Sequence, residues 1–203
     1  ISPGSHWSPL ATIMSCQADK DVYVEKPMSH NIYEGRKMVE AARKYNKIVQ
    51  VGCQNRSGAY HEKAISFLKE GNLGRIHYVR VLNMLNRQRG KPGPYPEMPV
   101  PQELDYDMWC GPAPRRPYNP NKTAAGVWRH FWDYSGTDSE SIHQLDVANW
   151  VISTLTGRIH PISVYSKGGV RYPDRVADLP DSMHTLFDWG DLTLSFEVDW
   201  WSS

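Results

Sequence analysis

Residues Asp21–Gly52 read DVYVEKPMSHNIYEGRKMVEAARKYNKIVQVG, and this stretch decides the fold. Val22, Tyr23 and Val24 are β-formers with apolar side chains on both faces, the pattern of a strand covered on both sides. Asn31-Ile32-Tyr33-Glu34 resembles a capping box, and Ile32, Met38, Val39, Ala42 and Tyr45 continue at helical spacing. Lys47–Gly52 is a second short buried strand. Strand, helix and strand within about 30 residues predict a βαβ unit with parallel strands and a right-handed crossover. In α/β sheets the chemistry gathers in loops past the carboxyl ends of the strands, where Glu25-Lys26-Pro27 stands. Taken alone, those three residues are more simply a surface ion pair and a turn proline.

Outward from this unit, Pro9–Ala18 is predicted to be a helix with Leu10, Ile13 and Met14 on its inner face. Tyr60–Glu70 is predicted to be another, with Ala64, Phe67 and Leu68 inward and Gly71 as its stop. The pattern changes at Gly74. Arg75–Asn86 alternates as a long strand of a sheet with two different faces. Gly90–Pro101 is a loop rich in Pro and Gly, and the irregular region extends to about Thr123, a length more typical of functional loops. Ser139–Leu155 is predicted as a helix, with His143, Asp146 and Trp150 sharing one face. A strand pattern over His160–Tyr172 and a hairpin turning at Gly190-Asp191 follow. The expected organisation is a parallel α/β domain over 1–73 and a mainly antiparallel, open-sheet α+β domain over 74–203.

Composition excludes several classes. A net charge of +1 over 203 residues makes no electrostatic case for nucleic acid or a charged membrane surface. No apolar run approaches the ~20 residues that span a bilayer. Cys16, Cys53 and Cys110 lack metal-type pairing and read as reduced structural thiols. Eight tryptophans suit a site that stacks on flat or sugar-like molecules, and equally an aromatic core. The first residues lack the pattern of a secretory signal, and both ends read as the interior of a longer protein.

Two groups stand out chemically. Lys26 lies at a strand's carboxyl end. His143 has Asp146 at i+3, an arrangement that orients an imidazole for proton transfer near neutral pH; a hydrogen-bonded structural histidine is the plainer alternative. As metal ligands the two lack a third at fixed spacing, so no metal is expected.

The segment KDVYVEKPMSHNIYEGRKMVEAARKYNKIVQVGCQNRS, residues 20–57, resembles the Gfo/Idh/MocA family of glucose–fructose oxidoreductase and inositol dehydrogenase relatives. ISPGSHW resembles that family's strand-end segment, WRHFWDYSGTDSESIHQLDVANW its approach to a catalytic histidine helix, and DYDMWCGPAPRRPYNP a segment of one branch. These segments occur in the family's order along nearly the whole chain. The resemblance implies a Rossmann-type dinucleotide-binding domain over 1–73, NAD or NADP as cofactor, and a sugar, cyclitol or derivative oxidised at a secondary alcohol.

By position, the resemblance makes Lys26, His143 and Asp146 catalytic. Lys26 favours the developing alkoxide, His143 exchanges the proton, and Asp146 orients or contacts substrate. It assigns Ser2, His6, Glu25, Lys26, Pro27, Gln54 and Arg56 to the cofactor, and Arg129 and Asp133 to the substrate. It further implies a homo-oligomer, dimer or tetramer, through the second domain's sheet. Ser139 and Ser141 depart from the family's aspartate and glycine. No G-x-G-x-x-G, the loop that holds a pyrophosphate, occurs in the chain. The sequence therefore predicts the nicotinamide side of a site without its phosphate side, weak cofactor binding and poor stability for this chain alone. Two other functions are compatible with the residues: an NAD-dependent glycoside-cleaving relative, and a non-catalytic sugar- or cofactor-binding relative. Localisation, cytoplasmic or exported, is left open.

Overall fold

The computed structural model describes residues 1–84, 96–120, 128, 131–135, 141–171 and 178–200. Its contacts divide the chain into two units, each discontinuous in sequence. The first comprises Ile1–Gly52, Gly90–Ser139 and Pro173–Leu179; the second comprises Cys53–Arg89, Glu140–Tyr172 and Pro180–Ser203. Packing thus cuts the chain at Gly52, and the division at 73/74 stands as a proposal about the covalent domain border.

The first unit opens with helix α1 (Ser8–Gln17), strand β1 (Val22–Val24), helix α2 (Ile32–Lys44) and strand β2 (Val49–Val51). β1 and β2 pair in parallel, Val22 opposite Val49 and Val24 opposite Val51, as the βαβ pattern predicts. Ile1 continues the ladder on the other side of β1: its amino group donates to the Tyr23 carbonyl (2.7 Å), and Glu25 N–H donates to the Ile1 carbonyl (2.9 Å). The expected cap of α2 is present, the Asn31 side chain accepting from Glu34 N–H at 2.9 Å. Cys16, Val22, Val24, Met38 and Ala41 form the core, with Ile1, Ile13, Tyr45, Val49 and Val51 packed around it.

Four sequence expectations change here. β1 is buried on one face only, since Tyr23 is 54% exposed. α1 turns Ser8, Thr12 and Cys16 inward and leaves Leu10 and Met14 exposed. Small side chains at i, i+4 and i+8 let the helix approach its neighbours closely, so contact distance rather than hydrophobicity sets the face. α2 buries Gly35, Met38 and Ala41 and leaves Ile32 exposed. The region expected to be irregular contains a short helix, α4 (Tyr106–Cys110), capped by Asp105, whose side chain accepts from Met108 N–H at 2.9 Å.

The second unit holds helix α3 (Ala59–Lys69), strand β3 (Tyr78–Met84), helix α5 (Ile142–Thr156) and strands β4 (Ser163–Gly169), β5 (Ser182–Asp188) and β6 (Thr193–Asp199). The sheet order is β3-β6-β5-β4. β4–β5 and β5–β6 are antiparallel, while β3 joins β6 in parallel, so the sheet is mixed. The hairpin turns at Gly190, whose φ of 91° suits a glycine. α5 lays Ala148 and Ile152 on the sheet face formed by Val81, Leu194, Phe196 and Val198. α3 packs on α5, and Ile65 is its sole buried residue; Phe67, expected inward, is 49% exposed. The opposite sheet face carries Tyr78, Leu82, Met84, Tyr165 and Leu186 in the open. On that face Arg80 forks onto Glu197, with Nε and Nη2 donating at 2.8 and 2.7 Å.

Two outcomes follow for stability. Ile152, fully buried, should cost about 2–5 kcal/mol as Ile152→Ala, read by denaturant unfolding. The Arg80 hydrogen bonds are the main cause that holds the Glu197 carboxyl below its ordinary value of 4.5. Its contribution is therefore complete above that value and disappears as pH falls below it, through the lowered value of the folded state. The stability gap between the wild type and Glu197→Gln should shrink between about pH 6 and pH 3; a gap independent of pH would refute the linkage.

Candidate active site

Parallel pairing places the carboxyl end of β1 at the same edge as that of β2, and Glu25, Lys26 and Pro27 leave β1 at that edge. The Lys26–Pro27 peptide is cis. An open cleft of about 390 Å³ lies there, lined by Ser2, Pro3, Gly4, Ser5, Glu25, Lys26, Pro27 and Trp128. Four of the residues expected at the cofactor, Ser2, Glu25, Lys26 and Pro27, are thus brought together. The Glu25 carboxylate folds back, accepting from Lys26 N–H at 3.3 Å, and sits over Gly52. A Cβ on Gly52 would lie 3.1 Å from both Glu25 oxygens, so the glycine makes room for that carboxylate. A cation, a carboxylate and short hydroxyl side chains at a strand-end edge fit the nicotinamide end of a dinucleotide.

Beside the cleft is an aromatic nest. His6, 5% exposed, has Nε2 3.0 Å from the Trp109 carbonyl and Nδ1 3.3 Å from the Tyr134 carbonyl. Its ring is 5.3 Å from that of Tyr134 and 5.6 Å from that of Trp109. Trp109 stacks on Tyr106 at 5.8 Å and meets Tyr134 edge-on at 4.7 Å. Burial pushes the Tyr106 phenol far above its ordinary range, and its hydroxyl donates to the Arg116 carbonyl at 3.0 Å. Trp7 Nε1 donates to the Met108 carbonyl at 2.9 Å. Gly111, with φ 53°, lies against the Trp7 indole, which a Cβ there would overlap. Residue spacing alone did not single out Trp7, Trp128 or Gly111; the signals that mark them are His6-Trp7 just past a strand end and a glycine directly after α4. Asp133, expected at the substrate, is held by Arg116, whose Nε donates to Oδ2 at 2.8 Å. Arg129 lies outside the described residues.

In the second unit, Gln54 and Arg56 lie in a short 3₁₀ turn, Gln54–Ser57, following β2. Arg56 takes both oxygens of Asp146: Nε donates at 2.8 and 3.0 Å and Nη2 at 2.8 Å. The guanidinium lies over Trp150, 5.5 Å from its ring centre. Hydrogen bonding to Asp146 is the main cause that raises the Arg56 pKa, with burial acting against it. The i+3 spacing that singled out Asp146 as a partner for His143 thus also serves an ion pair reaching 90 residues along the chain. His143 is in the first turn of α5, half-buried. Ser141, which is fully buried, accepts from the buried Asn83 amide of β3. Ser139 lies outside the described residues. Among the described residues, no three His, Cys, Asp or Glu side chains gather as a metal site, and no helix is long and apolar enough to cross a membrane.

A family model described as "Oxidoreductase family, C-terminal alpha/beta domain" matches residues 88–191, just over half of the chain. A second, "Oxidoreductase family, NAD-binding Rossmann fold", matches residues 3–53. The chain belongs to the Gfo/Idh/MocA oxidoreductase family, and its nucleotide-binding part is of the NAD-binding Rossmann type. It is 24% identical over 183 residues to the uncharacterized oxidoreductase YrbE of Bacillus subtilis, covering 90% of this chain and 40% of that protein. In fold it is similar to the WlbA dehydrogenase of Bordetella pertussis, solved with NADH and UDP-GlcNAcA (TM-score 0.67, 24% identity, 98% of this chain and 51% of that one). It is also similar to the aldose-aldose oxidoreductase of Caulobacter crescentus, solved with glycerol (TM-score 0.67, 20% identity, 98% and 49%). The chain therefore spans about half the length, or less, of these proteins.

The Arg56–Asp146 fork is testable directly. A double-mutant cycle with Arg56→Ala and Asp146→Ala should give a coupling of about 0.5–1 kcal/mol in unfolding experiments, modest because the arginine is partly exposed. Strictly additive losses would mean that the pair does not form in solution.

Proposed function

We propose that this chain serves an NAD(P)-dependent oxidoreductase that oxidises a secondary alcohol of a sugar, cyclitol or derivative. The single observation that carries this reading is the position of Lys26, at the carboxyl end of a parallel strand and in one cleft with Ser2, Glu25 and Pro27. The family membership supports it, as do the NADH and sugar-nucleotide ligands of the Bordetella pertussis dehydrogenase, a relative in fold.

Ser2, Glu25, Lys26 and Pro27 would hold the nicotinamide end of the cofactor, and Gln54 and Arg56 stand as further candidates. The bound cofactor supplies a hydride acceptor. Lys26 would place an ammonium where negative charge develops on the carbinol oxygen, which favours the alkoxide. His143 takes the hydroxyl proton, as an imidazole near neutral pH can. Asp146, clamped by Arg56, would fix the helix that carries His143 to the turn after β2. The polar cleft suits a hydroxylated ligand. The open face of the four-stranded sheet, with Tyr78, Leu82, Met84, Tyr165 and Leu186 exposed, is the proposed surface of a homo-oligomer.

The test is NADH formation from NAD with a panel of sugars and cyclitols, on the longest natural polypeptide that contains these residues. Lys26→Ala should lower kcat by about 10²–10³-fold, and His143→Ala by about 10²–10⁴-fold. Turnover unchanged in both variants would remove these residues from the chemistry. Release of a sugar from a glycoside without net NADH would turn the reading toward transient oxidation and bond cleavage.

A further inference from the structure

Next to the polar cleft lies a second open cavity of about 320 Å³, lined by Pro3, Gly4, His6, Trp7, Trp109 and Trp128. The two share Pro3, Gly4 and Trp128. Their chemistry differs sharply. The first carries Lys26, Glu25, Ser2 and Ser5. The second presents a proline, a glycine and four aromatic rings.

The polar side-chain atoms of Trp7 and His6 are already engaged. Trp7 Nε1 donates to the Met108 carbonyl, and both His6 nitrogens face backbone carbonyls, of Trp109 and Tyr134. What these two rings offer a ligand is π-surface. The walls are also held before any ligand arrives. Trp7 is fixed by its hydrogen bond and by Gly111, and Trp109 by Tyr106 and Tyr134. His6 is fixed by its two carbonyls and by Trp128, edge-on at 6.4 Å. Pre-set aromatic walls bind at low entropic cost, and aromatic rings favour edge-to-face and offset contacts with another ring. An apolar cavity of about 150 Å³ suffices for benzene, so this one admits a ring of one or two cycles.

We propose that the tryptophan-lined cavity is a subsite for a flat, uncharged aromatic ring carried by a hydroxylated substrate. The ring lies among Trp7, Trp109 and Trp128, and the polyol part reaches across the shared wall into the cleft of Lys26. The ring subsite stands on the cavity alone; the polyol half rests on the dehydrogenase reading. The substrate class is then an aryl glycoside or a comparable aromatic polyol conjugate rather than a bare sugar.

Saturation-transfer NMR on the longest natural polypeptide that contains these residues tests this with three probes: phenol, phenyl β-glucopyranoside and methyl β-glucopyranoside. Phenol should bind with a Kd on the order of 1 mM, and the phenyl glycoside at least roughly tenfold tighter than the methyl glycoside. Trp7→Leu removes a ring from this cavity without touching the polar cleft, and should erase the phenyl preference. Trp109→Leu, which lines this cavity and not the polar cleft, is the second variant and decides the matter if the first does not fold. Lys26→Ala should leave phenol binding unchanged. Equal affinity for the two glycosides, absence of phenol binding, or a phenyl preference that survives in the folded variants would overturn the proposal. Phenol binding without glycoside binding would keep the ring subsite and count against the dehydrogenase reading instead.

Discussion

Parallel pairing is the constraint on which the first unit depends. Two strands that run the same way cannot be joined by a tight turn, so the chain between Val24 and Val49 must travel back along the sheet. That return is α2, whose buried Met38 and Ala41 complete the core over Val22 and Val24. The same constraint sends both strands out of the sheet at one edge, with no strand left there to use the residues that follow. Lys26 and Pro27 are available for chemistry because the ladder ends at Glu25, whose N–H donates to Ile1. Gly52, at the end of the second strand, is there because a side chain would press on the Glu25 carboxylate.

The two units use different kinds of contact. In the first unit the contacts are aromatic, and backbone carbonyls take up the ring nitrogens of His6 and the N–H of Trp7. The outcome is a polar cleft and an apolar cavity that share a wall. In the second unit the contacts are ionic. Arg56 forks onto Asp146 under Trp150, tying the turn after β2 to the helix that carries His143. A planar guanidinium matches a carboxylate with two hydrogen bonds at once, and this fixes orientation as well as distance.

Much of this was legible in the residues. The βαβ unit, the cap at Asn31, the parallel strands and the hairpin turn at Gly190 are set by neighbours in sequence, and they occur where periodicity and turn chemistry place them. The helix faces were less legible. Leu10, Met14, Ile32 and Phe67 looked inward by hydrophobicity, yet Ser8, Thr12, Gly35 and Ile65 are nearer the core. Burial follows how closely two elements approach, and an isolated helix pattern contains no such distance. Likewise, β3 pairs in parallel with β6 across more than a hundred residues, which no local pattern encodes.

For the site the division is the same. The sequence by itself determined the family, the nicotinamide cofactor class and the placing of Lys26 at a strand end, because segments in a set order and a local strand-to-loop step suffice for these. Only the tertiary structure decided that Asp146 belongs to Arg56, that Asp133 belongs to Arg116, and that His6 is spent on two backbone carbonyls among tryptophans. The reason is physical. A side chain's partner is whichever group the fold brings within about 3 Å, and that distance depends on elements far away in the chain.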